Sequence, residues 1–200
     1  AKHSEANRVN VSLDKKNEYL RIVIRDNGIG FNPKIFHFTN GFGLFRLKLP
    51  TGLFQYNTAI TTSAFSSTFD HCTGLTSLPT DLFQYNTAIT TSAFLGTFAS
   101  CTHLTSLPAD LFRYNTAITT SSFTNAFYGC TGLTALPTDL FRYNTGALSF
   151  SSTFAGCTAL AAIPATIFDY GKTVITTFTS TFDGCTALDG DAPTLWDGTW

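Results

Sequence analysis

The stretch LPTGLFQYNTAITTSAFSSTFDHCTGLTS, residues 49–77, decides the fold, because the chain repeats it. It returns as LPTDLFQYNTAITTSAFLGTFASCTHLTS from Leu78 and as LPADLFRYNTAITTSSFTNAFYGCTGLTA from Leu107, with looser copies from Leu136 and Ile163 and a partial one at Ala192. Pro50, Pro79, Pro108, Pro137, Pro164 and Pro193 stand 29, 29, 29, 27 and 29 residues apart. Cys72, Cys101, Cys130, Cys157 and Cys185 follow at steps of 29, 29, 27 and 28. A unit this short cannot bury its own apolar side, so the period predicts a solenoid in which each coil packs on the next.

Within one copy, LTSLP (residues 75–79) reads as a short strand ended by proline, which offers no N–H to a ladder. Stacking then predicts a narrow parallel sheet with one inward row of Leu75, Leu104, Leu133 and Leu160 and another of Leu78, Leu107, Leu136 and Ile163. TSAFSSTF (residues 62–69) begins with hydroxyl residues that can cap a helix, and its Phe65 and Phe69 are four apart, which predicts a short helix with both rings on one face. The pair recurs as Phe94/Phe98, Phe123/Phe127, Phe150/Phe154 and Phe178/Phe182. Asp81, Asp110 and Asp139 read as turn or helix-start caps. Asn57, Asn86, Asn115 and Asn144, each after a tyrosine, read as turn residues or an internal asparagine ladder.

Outward from the repeats the composition changes. Residues 1–48 hold nine basic and four acidic residues, a net +5, whereas residues 49–200 hold three and nine, a net −6. The whole chain is only 12% charged, against about 25% for an average domain, and carries 20 phenylalanines. This divides the chain into two parts at residue 48 and gives no electrostatic case for a nucleic-acid partner. No apolar run approaches the length of a membrane helix, so no membrane insertion is expected. LDGDAP (residues 188–193) puts Asp189, Gly190 and Asp191 where earlier copies have strand residues, and with Trp196 and Trp200 it reads as a C-terminal cap.

The pattern AF-x3-F-x2-C-T-x-L-x2-[LI]-P resembles the BspA-like class of bacterial surface leucine-rich repeat. LP-[TA]-D-LF-x-YNTAITTS-[AS]-F is similar to the mobile repeats called palindromic amphipathic repeat coding elements. This resemblance implies an α/β repeat solenoid, leucine-rich-repeat-like, of about five coils over residues 49–200, at a cell surface or extracellular, that binds a protein or host-matrix ligand without catalysis or cofactor. Upstream, RVNVSL, DKKN and YLRIVIRD read as a β-hairpin followed by the glycine-rich NGIGF. KHSEANRVNVSL, DNGIGF and GFGL together resemble the ATP-binding domain of sensor histidine kinases. That implies Asp26 on the adenine amino group, Gly28 and Gly30 close to the base, and Gly41 and Gly43 close to the phosphates. The magnesium-binding asparagine of that family would fall before Ala1, so residues 1–48 are expected to be a partial, inactive kinase segment that caps the first coil, with LFRLKLP (residues 44–50) as a degenerate first strand. A histidine kinase fragment, which would be cytoplasmic, and a self-assembling repeat that associates through the solenoid ends are the alternative functions.

Catalytic and metal chemistry find no footing in the sequence. The cysteines come one per copy with no C-x2-C pair, which predicts a column of buried free thiols and no metal site. No G-x-S-x-G elbow is present, and His3, His37, His71 and His103 build no triad. Acids recur singly, spread along the array. The threonine rows, Thr73, Thr102, Thr131, Thr158 and Thr186 among them, are read as β propensity and turn chemistry, with ice binding as the competing idea. Positions that vary between copies nominate the partner-binding residues. These are Ser66/Ser67 against Leu95/Gly96 and Thr124/Asn125, Asp70/His71 against Ala99/Ser100 and Tyr128/Gly129, and Gln55/Gln84 against Arg113/Arg142. Tyr128, Arg113, Arg142, His71 and His103 are the candidates.

Overall fold

The computed structural model describes residues 9–16, 19–26, 36–39, 47–171 and 174–188, with side chains described for residues 49–170 and 174–188. Strands β1 (Val9–Lys16) and β2 (Tyr19–Asp26) form an antiparallel hairpin with Val9 opposite Asp26 and Lys16 opposite Tyr19. A third strand, β3 (Phe36–Thr39), pairs antiparallel with β2, so this N-terminal sheet is three-stranded where the sequence suggested two strands. The proposed cap residues Asp189 to Trp200 lie outside the described residues.

Strand β4 (Leu47–Lys48) pairs in parallel with β5 (Leu75–Ser77), Leu47 opposite Leu75 and Lys48 opposite Ser77. Among the described residues, the LTSLP segments of later copies make isolated parallel contacts, such as Ala135 with Ala162, instead of continuous strands. Single amides still link them, Thr105 N–H donating to Thr76 O and Thr134 N–H to Thr105 O.

The expected helices are absent. Among the described residues the one helical element is a 3-10 turn at Asp169–Gly171, and residues 62–72 form a ribbon of overlapping turns. Amides of Ser66, Thr68, Asp70 and Cys72 close three-residue steps back to Ser63, Phe65, Ser67 and Phe69. The alternate amides, from Ser63, Phe65, Ser67, Phe69 and His71, donate to Thr91, Ala93, Leu95, Thr97 and Ala99 of the following copy. An α-helix consumes its amides internally and would leave none to join neighbours. The ribbon needs a left-handed residue every fourth position, here Ser63, Ser67 and His71 with φ of 52°, 53° and 59°. Serine, threonine and glycine, poor helix formers, favour it over a helix. Because the unit is four residues long, Phe65 and Phe69 still share one face.

That face is the core. Three phenylalanine columns run through the stack: Phe54, Phe83, Phe112, Phe141 and Phe168; Phe65, Phe94, Phe123, Phe150 and Phe178; Phe69, Phe98, Phe127, Phe154 and Phe182. Neighbouring rings in a column lie 5.3–6.0 Å apart with planes within 16°. This is the offset-parallel geometry aromatic pairs prefer, worth about 0.5–1.5 kcal/mol per pair beyond burial. The sequence reading foresaw the second and third columns and missed the first. Leu75, Leu104, Leu133 and Leu160 are fully buried beside them.

The asparagines form a ladder. Asn86 Nδ2 donates to the carbonyls of Phe54 and Asn57, Asn115 Nδ2 to Phe83 and Asn86, and Asn144 Nδ2 to Phe112 and Asn115, all at 2.8–3.2 Å. Hydroxyls act likewise, Thr97 Oγ1 donating to Phe65 O at 2.8 Å and Thr153 Oγ1 to Phe123 O at 2.9 Å. Backbone carbonyls inside the stack thus receive side-chain donors from the following copy, as buried acceptors require.

The fourth copy is shorter. Its chain crosses from Asn144 to Phe150 directly, and a Cβ on Gly146 would stand 2.5 Å from the carbonyl oxygen of Ile118, so only glycine fits there. Ala147 fills the buried place that Ile60, Ile89 and Ile118 occupy in the longer copies.

Candidate functional site

The turn after each register proline positions the exposed aromatic residues. In the second, third and fourth copies it closes with Gln84, Arg113 and Arg142 N–H donating to the carbonyls of Asp81, Asp110 and Asp139. In the first four copies it sends leucine and phenylalanine inward and turns the next two side chains toward the surface; in the last, isoleucine and phenylalanine go inward and Asp169 alone of the next two faces out. The buried asparagine that follows pins the turn to the copy before it. Tyr56, Tyr85, Tyr114 and Tyr143 therefore recur 29 residues apart as a surface stripe, each 38–57% exposed on a rigid support. The stripe stops at the fifth copy, where Tyr170 is largely buried and its hydroxyl is held protonated by that burial.

Arg113 and Arg142 precede two of these tyrosines. The Arg113 guanidinium sits 5.8 Å from the Tyr114 ring centroid and 5.3 Å from that of Tyr143, within cation–π range. Each arginine also meets an aspartate of its own turn, Arg113 with Asp110 at 3.5 Å and Arg142 with Asp139 at 3.4 Å. These exposed pairs hold little energy and fix orientation at most. Asp81, the equivalent acid in the second copy, instead accepts the Gly52 N–H at 2.8 Å through Oδ2. Among residues with described side chains, Arg113 and Arg142 are the only lysine or arginine residues.

The other candidates sit elsewhere in the register. Tyr128 is exposed on the turn ribbon beside Gly129. His71 belongs to the ribbon's left-handed column, which continues as Ser100, Gly129, Gly156 and Gly184 with φ of 57–73°; its Nδ1 meets Asp70 Oδ1 at 2.8 Å. Ser67, Gly96, Asn125, Ser152 and Ser180 form a second such column, with φ of 51–60°. At these positions the variation between copies follows backbone conformation, a simpler cause than ligand choice. His103 Nδ1 donates to the Thr73 carbonyl at 2.6 Å, tying neighbouring copies together. The structure thus sets Arg113 against a tyrosine stripe that variability could not flag, since those tyrosines do not vary, while the side-chain partner of Arg142 is Asp139. Of the nucleotide-site candidates, Asp26 ends β2 and only its backbone is described, while Gly28, Gly30, Gly41 and Gly43 lie outside the described residues.

The cysteines are buried and unpaired. Sγ of Cys101, Cys130, Cys157 and Cys185 donates to the carbonyl of Phe69, Phe98, Phe127 and Phe154 at 3.1–3.2 Å. Burial, helped by Asp70, pushes the Cys72 thiol up to about 11, and burial raises the other four as well. Thiols in this state are poor nucleophiles and poor metal ligands. Among the described residues no three His, Cys, Asp or Glu side chains converge to hold a metal ion, and no helix is long and apolar enough to cross a membrane. No known protein family matches the chain, and no curated protein or solved structure matches it either.

Proposed function

We propose that the chain is a non-enzymatic binding module, a leucine-rich-repeat-type solenoid that displays a recognition face at a cell surface to a protein or host-matrix ligand. The observation that carries this reading is the exposed tyrosine stripe with its stacked arginine. Tyrosine and arginine are the residues most enriched at binding hot spots, and tyrosine offers a large amphipathic contact at low entropic cost. An exposed row of such rings on a soluble surface calls for an explanation that core packing does not supply. The stacked core beneath holds the row fixed, so little ordering is needed on binding.

The test is saturable binding of residues 1–200 to immobilised extracellular-matrix proteins and to intact host cells, measured for the parent chain, a Tyr85→Ala/Tyr114→Ala double variant and Thr58→Ala. The expected result is binding that the double variant weakens at least tenfold and Thr58→Ala leaves unchanged. Binding indifferent to the two tyrosines would overturn the assignment.

A further inference from the structure

The stripe contains its own example of what fits it. A guanidinium, that of Arg113, occupies the space between the tyrosines of two successive copies, Tyr114 and Tyr143. The two preceding spaces, Tyr56–Tyr85 and Tyr85–Tyr114, are built on the same spacing. The phenylalanines two residues before each tyrosine, Phe54, Phe83, Phe112 and Phe141, stand 6.0 Å apart at every step with planes within 8°. What differs is the residue placed to fill each space: Gln55 and Gln84 stand where the next copy has Arg113. A neutral amide lacks the positive charge that the ring faces attract. Residues 49–106 hold no lysine or arginine, so no cation of the chain's own competes for the rings at this end of the stripe.

Building on the reading of the stripe as a binding face, we infer that the Tyr56–Tyr85–Tyr114 section takes arginine side chains from an extended basic segment of the partner protein. Each guanidinium enters one space between tyrosines as Arg113 does in the space after. Arginine suits the space better than lysine, because its planar, weakly hydrated group stacks on aromatic faces. The two spaces are one copy apart, 6.0 Å by the underlying rings. Same-face side chains of an extended peptide recur about every 6.6–6.8 Å. An Arg-x-Arg segment running along the stripe therefore reaches both.

The test uses a fluorescein-labelled peptide of four Arg-Gly repeats and its citrulline counterpart, which keeps the shape and removes the charge, with binding to residues 1–200 followed by anisotropy. The arginine peptide binds saturably and the citrulline peptide at least fivefold more weakly. Gln84→Arg fills one space from within and weakens binding about two- to fivefold, the worth of one exposed cation–π contact. Arg113→Gln opens a third space and strengthens it by a similar factor. Thr158→Arg adds the same charge at an exposed site away from the stripe and stays within twofold of the parent. Equal binding of the citrulline peptide, no binding of the arginine peptide, or a Thr158→Arg effect as large as that of Gln84→Arg each overturns the assignment. The binding-face reading fails on a separate result, matrix binding unaffected by loss of Tyr85 and Tyr114.

Discussion

Replacing Asn115 by alanine tests whether the internal ladder holds the stack together. Its Nδ2 donates to Phe83 O at 3.0 Å and to Asn86 O at 3.1 Å, and the residue is wholly buried. Two such bonds contribute about 0.5–1.5 kcal/mol each net, and a buried acceptor stripped of its donor costs about 1–3 kcal/mol more. The Phe83 carbonyl keeps the Asn86 amide as a donor, so the orphaning falls mainly on Asn86 O, and the total comes to about 2–6 kcal/mol. With a urea slope of about 2 kcal/mol/M, the midpoint falls by about 1–3 M. Circular dichroism in a urea series measures it, with Thr116→Ala, one residue on and exposed, as the control that should stay within about 0.5 kcal/mol. Asn115→Asp sharpens the test. The new carboxylate would face two carbonyls with no donor, raising its folded-state pKa above the unfolded value of about 3.9. Stability is then best below that value and is lost as pH rises, so the gap to the parent widens from acid to neutral pH. If Asn115→Ala shifts the midpoint no more than Thr116→Ala does, the ladder contributes nothing and the reasoning is wrong.

Three further outcomes follow from the same contacts. Gly146→Ala should destabilise by about 1–3 kcal/mol in the same urea series, because its methyl group meets the Ile118 carbonyl at 2.5 Å; a neutral result means the short copy can shift away. His71→Gly should raise stability by about 1 kcal/mol, relieving a left-handed residue with φ of 59°, and a fall in thermal midpoint would instead give the Asp70–His71 contact real weight. The thiols have folded-state pKa values above the ordinary 9.0. The unfolded chain therefore ionises first, and stability should be level below about pH 8.5 and fall as pH rises through 9 toward 11. Replacing Cys101 and Cys130 by alanine should flatten that alkaline loss, and an unchanged pH profile would remove the thiols as its cause.

The period was legible because stacking forces equal residues into equal environments, and the offset of 29 residues between Asn86 and Asn115 in the sequence is the offset of the bond between them. The ribbon at 62–72 was not, since Phe65 and Phe69 share a face both in an α-helix and in a four-residue turn spiral. Hydrophobic spacing cannot separate two backbones with the same repeat. The signal that does separate them lies in small and polar residues: His71, Ser100, Gly129, Gly156 and Gly184 in one column, and Ser67, Gly96, Asn125, Ser152 and Ser180 in another. A position that tolerates glycine, serine and asparagine but no branched residue marks φ > 0. The tyrosine stripe escaped for the opposite reason. A search for variation passes over residues that every copy needs, and exposure can be known only once the turn around them has a direction.

Every second amide of the turn ribbon donates to the following copy, while asparagine, threonine and cysteine side chains donate toward the preceding one. Each junction between full-length copies therefore presents the same sockets and plugs on its two sides. Duplicating or deleting one whole 29-residue unit inside the array reproduces the same hydrogen bonds at the new junction, whereas the shortened fourth copy departs from that register and brings the backbone at Gly146 so close that a Cβ would stand 2.5 Å from Ile118 O. The number of tyrosine rungs can thus change while the outline of each rung stays fixed, and a gene for such an array can lengthen or shorten its tyrosine stripe by recombination of whole units.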